Sequence, residues 1–156
     1  MANKIQNFDT GEKDNSNIIH LDLDPKINIE NKIYFKNLLK KIAESSLDNL
    51  EENLENLYHV DAEFNGFHPI NEIKGIEEIK NKYLIPLKKA FPDLERRNNL
   101  VIGGAFRDKV FVSFISHLTG TFTNEWLGVK PTNKTIYLRT CEAHQITNNK
   151  IIKSYT

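Results

Sequence analysis

One cysteine, Cys141, serves a chain of 156 residues. No disulfide can close within the chain and no cysteine metal cluster can form. Such sparing use of cysteine fits a reducing compartment. A surplus of charge is missing as well: 21 Lys and Arg stand against 21 Asp and Glu. A balanced chain lacks the electrostatic footprint of a nucleic-acid or anionic-membrane binder. No apolar run approaches the ~20 residues of a membrane span. The opening stretch, MANKIQNFDTGEKDNSN, holds no apolar core of a secretory signal. The sequence is therefore expected to be cytoplasmic, with neither nucleic acid nor membrane as partner. The motifs of cofactor and metal chemistry are also absent. IGGAF at 102–106 has neither the phosphate-loop Lys-Ser/Thr nor dinucleotide-binding spacing. No two histidines stand at helical metal spacing, and there is no Gly-x-Ser-x-Gly elbow. The strong sequence signals of a metal or cofactor site are thus missing.

What is present suffices for one ordinary domain. Hydrophobic residues make up 39% of the chain and charged residues 27%, and a chain of this size buries roughly two-thirds of its unfolded surface without a staple. Residues 1–28 are polar and Asn-rich and read as an arm. Residues 29–156 read as the domain. From Glu30 the pattern is helical, with Ile33, Leu38, Leu39 and Ile42 near one face. Ser45 or Ser46 can cap a second helix whose stripe is Leu47, Leu50, Leu54 and Leu57. A short strand, HVDAEFN, follows. Gly75 precedes a third helix, which Pro86 should disturb by withdrawing a backbone donor and which Pro92-Asp93 ends. The remainder, rich in β-branched and aromatic residues, reads as strands: 94–104, 108–122, 135–146 and 151–156, the last two joined by a tight turn at TNNK. Helices first and an antiparallel meander afterwards make an α+β pattern, helices on one face of a curved sheet.

Polar groups gather near the strand ends: His68, Asp93, His117, Arg139, Glu142, His144 and Tyr155. Alternation puts Leu138, Thr140, Glu142 and His144 on one face of their strand and Tyr137, Arg139, Cys141 and Ala143 on the other. A Glu and a His two residues apart on a concave face suit acid/base work, burial raising the carboxyl pKa and an imidazolium lowering it. The same two residues are equally a surface pair if that face is exposed. Arg139 reads as a cross-strand ion pair or as a site residue, His68 and His117 as satisfied structural groups or as ligands of a site. Trp126 either closes a loop over the core or walls an apolar pocket. Arginine occurs only at 96, 97, 107 and 139. The adjacent pair in AFPDLERR must send its two side chains to opposite faces of the strand it opens, so only one of them approaches the concave side.

From about Asn65 onward the stretches GFHPINEIKG, PLKKAFPDLERR, SHLTGTF, WLGVKPTNK, LRTCEAHQI and NKIIKSY resemble, in order and spacing, the SnoaL-like polyketide cyclase family of the nuclear transport factor 2-like superfamily. The resemblance implies a cone of three helices on a strongly curved, mostly antiparallel sheet. It implies cofactor-free chemistry like that of ketosteroid isomerase: a proton leaves the carbon next to a carbonyl, and hydrogen bonds hold the enolate. On a small apolar carbonyl compound the enolate then closes a ring by aldol attack. A non-catalytic binding or dimerisation module is the alternative on the same fold.

Carried over residue by residue, the resemblance puts Thr156 where the family has its catalytic Asp, Glu142 where it has a histidine, Thr140 where it has a glutamine, and Asn65 near its pocket Asn. Thr is no base near neutral pH, so the role passes to Glu142 as base or acid, with His144 or His117 as partner and Arg139 or Tyr155 as enolate stabiliser. Phe91, Trp126 and Leu138 are expected to wall an apolar cavity that Glu142 and His144 enter. His68, Asp93, Thr140 and Thr156 are the further substrate contacts. The last strand is expected to be short, cut before the position where a second branch of the family carries its Asp. A homodimer through the outer sheet face, built on Tyr137, Cys141 and Ala143, completes the expectation.

Overall fold

A computed structural model describes residues 23–156; residues 1–22 of the expected arm lie outside them, and its last four, 25–28, belong to the first helix. Helix α1 runs Pro25–Glu44. It starts five residues before the amphipathic pattern does, because the Asp24 carboxylate accepts from the Lys26 and Ile27 amides (2.7 and 3.3 Å) and Pro25 takes the first helical position. Its first turns leave Ile27 and Ile29 half exposed, so no apolar stripe announces them. The buried face is Phe35, Leu39 and Ile42; Ile33, expected inside, is exposed and Phe35 has its place.

A single 3-10 turn, Leu47–Asn49, with Ser46 at its cap position, leads into α2, Leu50–Leu57. Leu50, Leu54 and Leu57 are fully buried while Leu47 is exposed. Three such leucines supply roughly 1.5–3 kcal/mol each from removal of apolar surface. The third helical stretch, α3, spans 76–90. It is α-helical at Ile76–Glu78, widens to a π-turn at Ile79–Leu84 and returns to α-helix at Ile85–Ala90. The Ile85 amide reaches back to the Lys80 carbonyl. The wide turn sits where Pro86 withdraws its donor, so the disturbance expected from that proline takes the form of a π-bulge.

Six strands form one mixed sheet: β1 Tyr58–Asn65, β2 Glu72–Lys74, β3 Glu95–Phe106, β4 Lys109–Thr121, β5 Thr135–Thr147 and β6 Lys150–Tyr155. Their order is β2-β1-β6-β5-β4-β3. All neighbours are antiparallel except β1 and β6, which run parallel. β2 is a three-residue edge strand with no readable period. Asn148 and Asn149, both with positive φ, make the two-residue turn between β5 and β6. Irregular register at Asn98/Leu100, Gln145/Ile146 and Tyr58/Glu63 adds local bend and twist. The expected α+β architecture of three helices on a mostly antiparallel sheet is the one observed.

The main core lies between α1, α2, α3 and the concave sheet face, around Phe35, Leu54, Phe64, Ile79, Phe114 and Ile151. A second cluster fills the elbow where α3 hands over to β3: Leu87, Ala90, Phe91, Leu94, Leu118 and Phe122. Asp93 fastens that elbow, its carboxylate accepting from the Thr121 amide (2.6 Å) and hydroxyl (2.7 Å). These bonds, the hydroxyl's first, hold its carboxyl below the usual range. Gly120 lets the elbow close: a Cβ there would meet Asp93 Oδ1 and Phe91 Cβ, each at 3.2 Å. No helix among the described residues is long and apolar enough to cross a membrane.

Candidate functional site

β5 crosses the sheet between β4 and β6, and its alternation is as expected: Glu142 and His144 are buried on the concave face, while Tyr137 and Arg139 are exposed on the other. Opposite them on β4 stand Ser116, Phe114 and Val112, paired with Thr140, Glu142 and His144. The next strand out, β3, brings Arg96 inward, and its register partner is Leu118. The two arginines of AFPDLERR therefore separate as strand geometry requires. Arg96 is buried at 5% exposure, and Arg97 points outward to Glu95 at 3.6 Å.

Arg96 and Glu142 form a bidentate ion pair, Nη1 to Oε1 at 2.9 Å and Nη2 to Oε2 at 3.1 Å. The Thr140 hydroxyl donates to Oε1 at 2.7 Å, and His144 Nε2 stands 3.2 Å from Oε2. The carboxylate thus has partners for all of its roughly four acceptor directions. Behind it, Arg96 Nε donates to Asn98 Oδ1 (2.9 Å), Arg96 Nη2 to Ser116 Oγ (3.0 Å), and Ser116 Oγ to the same Asn98 oxygen (2.9 Å). His144 Nδ1 meets Ser154 Oγ on β6 at 2.9 Å. Burial by itself would push the Glu142 carboxyl up. The His144 hydrogen bond and the Arg96 charge outweigh it and hold the pKa at about 2.

Two neighbouring spaces, which share lining residues, adjoin this network. The inner one, about 50 Å³, is lined by Tyr58, Lys88, Arg96, Glu142 and His144 among apolar side chains. The outer one, about 320 Å³, is walled by Phe67, Trp126, Leu138 and Thr140, with Arg139 and Cys141 at its edge. Tyr83, Leu87, Leu118 and Thr156 line both. Burial raises the phenols of Tyr58, to about 12, and of Tyr83, so both keep their protons at neutral pH. Lys88 is 7% exposed and gives Nζ protons to the carbonyls of Ala43 (2.9 Å) and Ser45 (2.6 Å) at the end of α1. Burial lowers its pKa.

Of the residues singled out from sequence, Glu142, His144, Thr140, Leu138, Trp126 and Thr156 come together at these spaces. Thr156 is anchored through its amide to the Asn65 carbonyl (2.9 Å), and the Asn65 side chain donates to Ser154 O (3.2 Å). Others are placed elsewhere. His117 pairs with Arg139 across the outer face and bonds Asn99 at 2.7 Å, because an odd-numbered position on β4 faces away from Glu142. Arg139 thus meets a histidine rather than an acid, and only edges the outer pocket. Tyr155 is on the outer face with Lys153 Nζ 5.7 Å from its ring centroid. Phe91 lines neither of these two spaces. It is core, stacked on Phe122 (centroids 5.1 Å) and edge-on to Trp126 (5.8 Å). Asp93 is the elbow clamp, and His68 is exposed in the turn beyond Phe67.

Sequence reasoning missed Arg96 as the partner of Glu142, although one arginine of the pair had to turn inward and physical chemistry requires a buried carboxyl to be protonated or paired. Tyr58, Tyr83, Lys88 and Ser154 carried no such signal.

The sequence profile of SnoaL-like polyketide cyclases matches residues 38–155. The chain belongs to the SnoaL-like polyketide cyclase family. Solved structures agree on the fold. A nuclear transport factor 2-like superfamily protein from Salmonella enterica superposes with a TM-score of 0.65 at 14% identity, covering 83% of this chain and 89% of that one. A candidate SnoaL-like polyketide cyclase from Jannaschia sp. CCS1 gives 0.62 at 17%, covering 85% and 87%. AclR, a candidate hydroxylase from Streptomyces galilaeus, gives 0.63 at 20%, covering 81% and 73%. No curated protein sequence matches the chain. This SnoaL-like protein thus has the nuclear transport factor 2-like fold, with an Arg–Glu–His network at the heart of its concave face.

Proposed function

We propose that this SnoaL-like protein binds a small apolar carbonyl compound with its body in the outer pocket and its carbonyl end reaching the inner space that His144 lines, and moves the proton next to the carbonyl, without a cofactor, through His144. The supporting observation is the way His144 is held. One ring nitrogen lies against the Glu142 carboxylate, an acceptor, so that nitrogen carries the proton. The other meets only the Ser154 hydroxyl, which can rotate away. Glu142, saturated by Arg96 and Thr140, is the orienting partner rather than the base. The Tyr83 phenol, shared by both spaces and kept protonated by burial, is the donor for the developing enolate oxygen. Ring closure by aldol attack is the expected use of that enolate.

One observation favours the competing reading of a binding module: both nitrogens of His144 and every acceptor direction of Glu142 already have partners. Deuterium exchange decides between them. Aryl ketones such as 1-tetralone are incubated with the protein in D2O, and loss of the proton next to the carbonyl is followed by NMR. Catalysed exchange that falls by about 100-fold or more in His144→Gln supports the base, since general bases contribute roughly that much. Quenching of Trp126 fluorescence by a ketone that never exchanges supports the module instead.

A further inference from the structure

The inner cavity carries one more positive charge than its chemistry so far uses. Arg96 is matched by Glu142. Lys88, equally buried, has no ion pair among the described residues. The nearest acid acting on it, Glu44, spends its Oε1 on Lys40 and on the Arg96 amide. A buried ammonium held only by carbonyl dipoles is costly unless an anion joins it. The donor count agrees. Lys88 has three protons and two carbonyl partners. Arg96 has five, of which Asn98, Ser116 and Glu142 take four. One proton of each remains, and both side chains line the same cavity.

We propose that the inner cavity is a carboxylate subsite: the substrate is a carbonyl compound with an acid end, its carboxylate bound by Lys88 and Arg96 and its apolar body in the outer pocket. This rests on the reading of the outer pocket given above. Size fits the assignment. A dry cavity of about 150 Å³ holds benzene, so the 50 Å³ here accommodates a group of a few heavy atoms, a carboxylate and its neighbouring carbon. The two spaces share Tyr83, Leu87, Leu118 and Thr156, so a chain a few carbons long links the two ends. Glu142 does not repel such a ligand strongly, because Arg96 neutralises it at bidentate distance. The spare proton on Lys88 then meets an anion.

The probe is 4-phenylbutanoate, whose ring suits the outer pocket, compared with its neutral amide, 4-phenylbutanamide, by isothermal titration calorimetry. The acid should bind the wild-type protein at least about tenfold more tightly than the amide, the worth of a hydrogen bond to a charged group. Formate should compete against the acid and leave the amide unaffected. Lys88→Met should remove most of the advantage of the acid over the amide, Arg96 alone remaining to hold it. Equal affinity of acid and amide for the wild type overturns the subsite and leaves the outer pocket standing. A preference for the acid that is undiminished in Lys88→Met overturns the role of Lys88. If neither compound binds, the outer-pocket reading fails with it. Lys88 also ties α3 to the end of α1, so the variant's fold is checked by circular dichroism; should it not fold, the wild-type comparison alone decides.

Discussion

Replacing Arg96 by Met tests the buried pair most directly. Arg96 is 5% exposed and the Glu142 side chain 7%, so water cannot take over the lost contacts. Removing one partner of a buried pair costs about 3–5 kcal/mol, because the other charge is left unpaired. For a chain of this length, 1 kcal/mol moves the melting temperature by roughly 2–4 °C, so Arg96→Met should melt roughly 6–20 °C lower at pH 7. The pH dependence gives a sharper signature. The folded-state pKa of Glu142 is lowered from 4.5 to about 2. A depressed carboxylate stabilises the fold above its unfolded pKa and loses that contribution as pH falls towards the folded value. For the wild type the contribution is about 3 kcal/mol, and about two-thirds of it is gone by pH 3. In Arg96→Met burial is left opposed only by His144 and Thr140, and the carboxyl titrates higher. The variant therefore has less to lose on acidification, and the stability gap between the proteins should narrow by about 2 kcal/mol between pH 7 and pH 3. Urea titrations of both proteins at the two pH values measure it. A gap that stays constant, or one below about 1 kcal/mol at pH 7, refutes the pair as a stabilising element.

Three further outcomes are expected. Gly120→Ala should destabilise the fold by about 1–3 kcal/mol in thermal melts, since the added Cβ meets Asp93 and Phe91 at 3.2 Å and both are pinned. His117→Ala should leave ketone exchange within about twofold of wild type, its ring lying on the sheet face away from Glu142; a larger loss would bring His117 back into the site. We also propose that the outer sheet face, which carries Tyr137, 71% exposed, and further along it Cys141, Leu100 and Ile102, docks a second copy of the chain. Light scattering should then show a dimer at micromolar concentration and a monomer for Tyr137→Asp, and a wild-type protein that is only monomeric ends that proposal.

The fold was legible where side-chain period and turn chemistry coincide. The leucines of α2, the alternation of β5 and the Asn148-Asn149 turn each state one structure, and each is found. The start of α1 was not legible from periodicity, since its first turns bury little and only Asp24-Pro25 marks them. β2 was missed because three residues carry no period. The site was legible by face but not by partner. Period 2 puts Glu142 and His144 inside without saying which charge, 46 residues earlier, comes to meet them. Phe91 shows the opposite error. An aromatic at an elbow beside a pocket was assigned to the pocket wall, whereas the stack on Phe122 draws it into the core.

The network explains how this chain departs from the pattern it resembles. The resemblance implies an Asp on the last strand and a histidine on its neighbour, at the places where this chain carries Thr156 and Glu142. A carboxylate moved into the middle of the sheet is more deeply buried than one near the end of the last strand, and it cannot stay ionised there alone. Arg96 resolves the difficulty, and its position at the second residue of β3 is what AFPDLERR provides. The remedy has a chemical consequence. A carboxylate neutralised at 2.9 and 3.1 Å and held near pKa 2 is too weak a base to take a proton from carbon, which is why the base proposed above is the next group in the chain, His144. Loss of the histidine should therefore abolish exchange with the Arg96–Glu142 pair intact, while Glu142→Gln should both misorient the ring and leave Arg96 uncompensated. The first variant should keep nearly the stability of the wild type compared with the second, and the same urea titrations at pH 7 tell them apart. If His144→Gln proves the less stable of the two, Glu142 is not the member on which the fold depends, and the assignment of base and partner loses its footing.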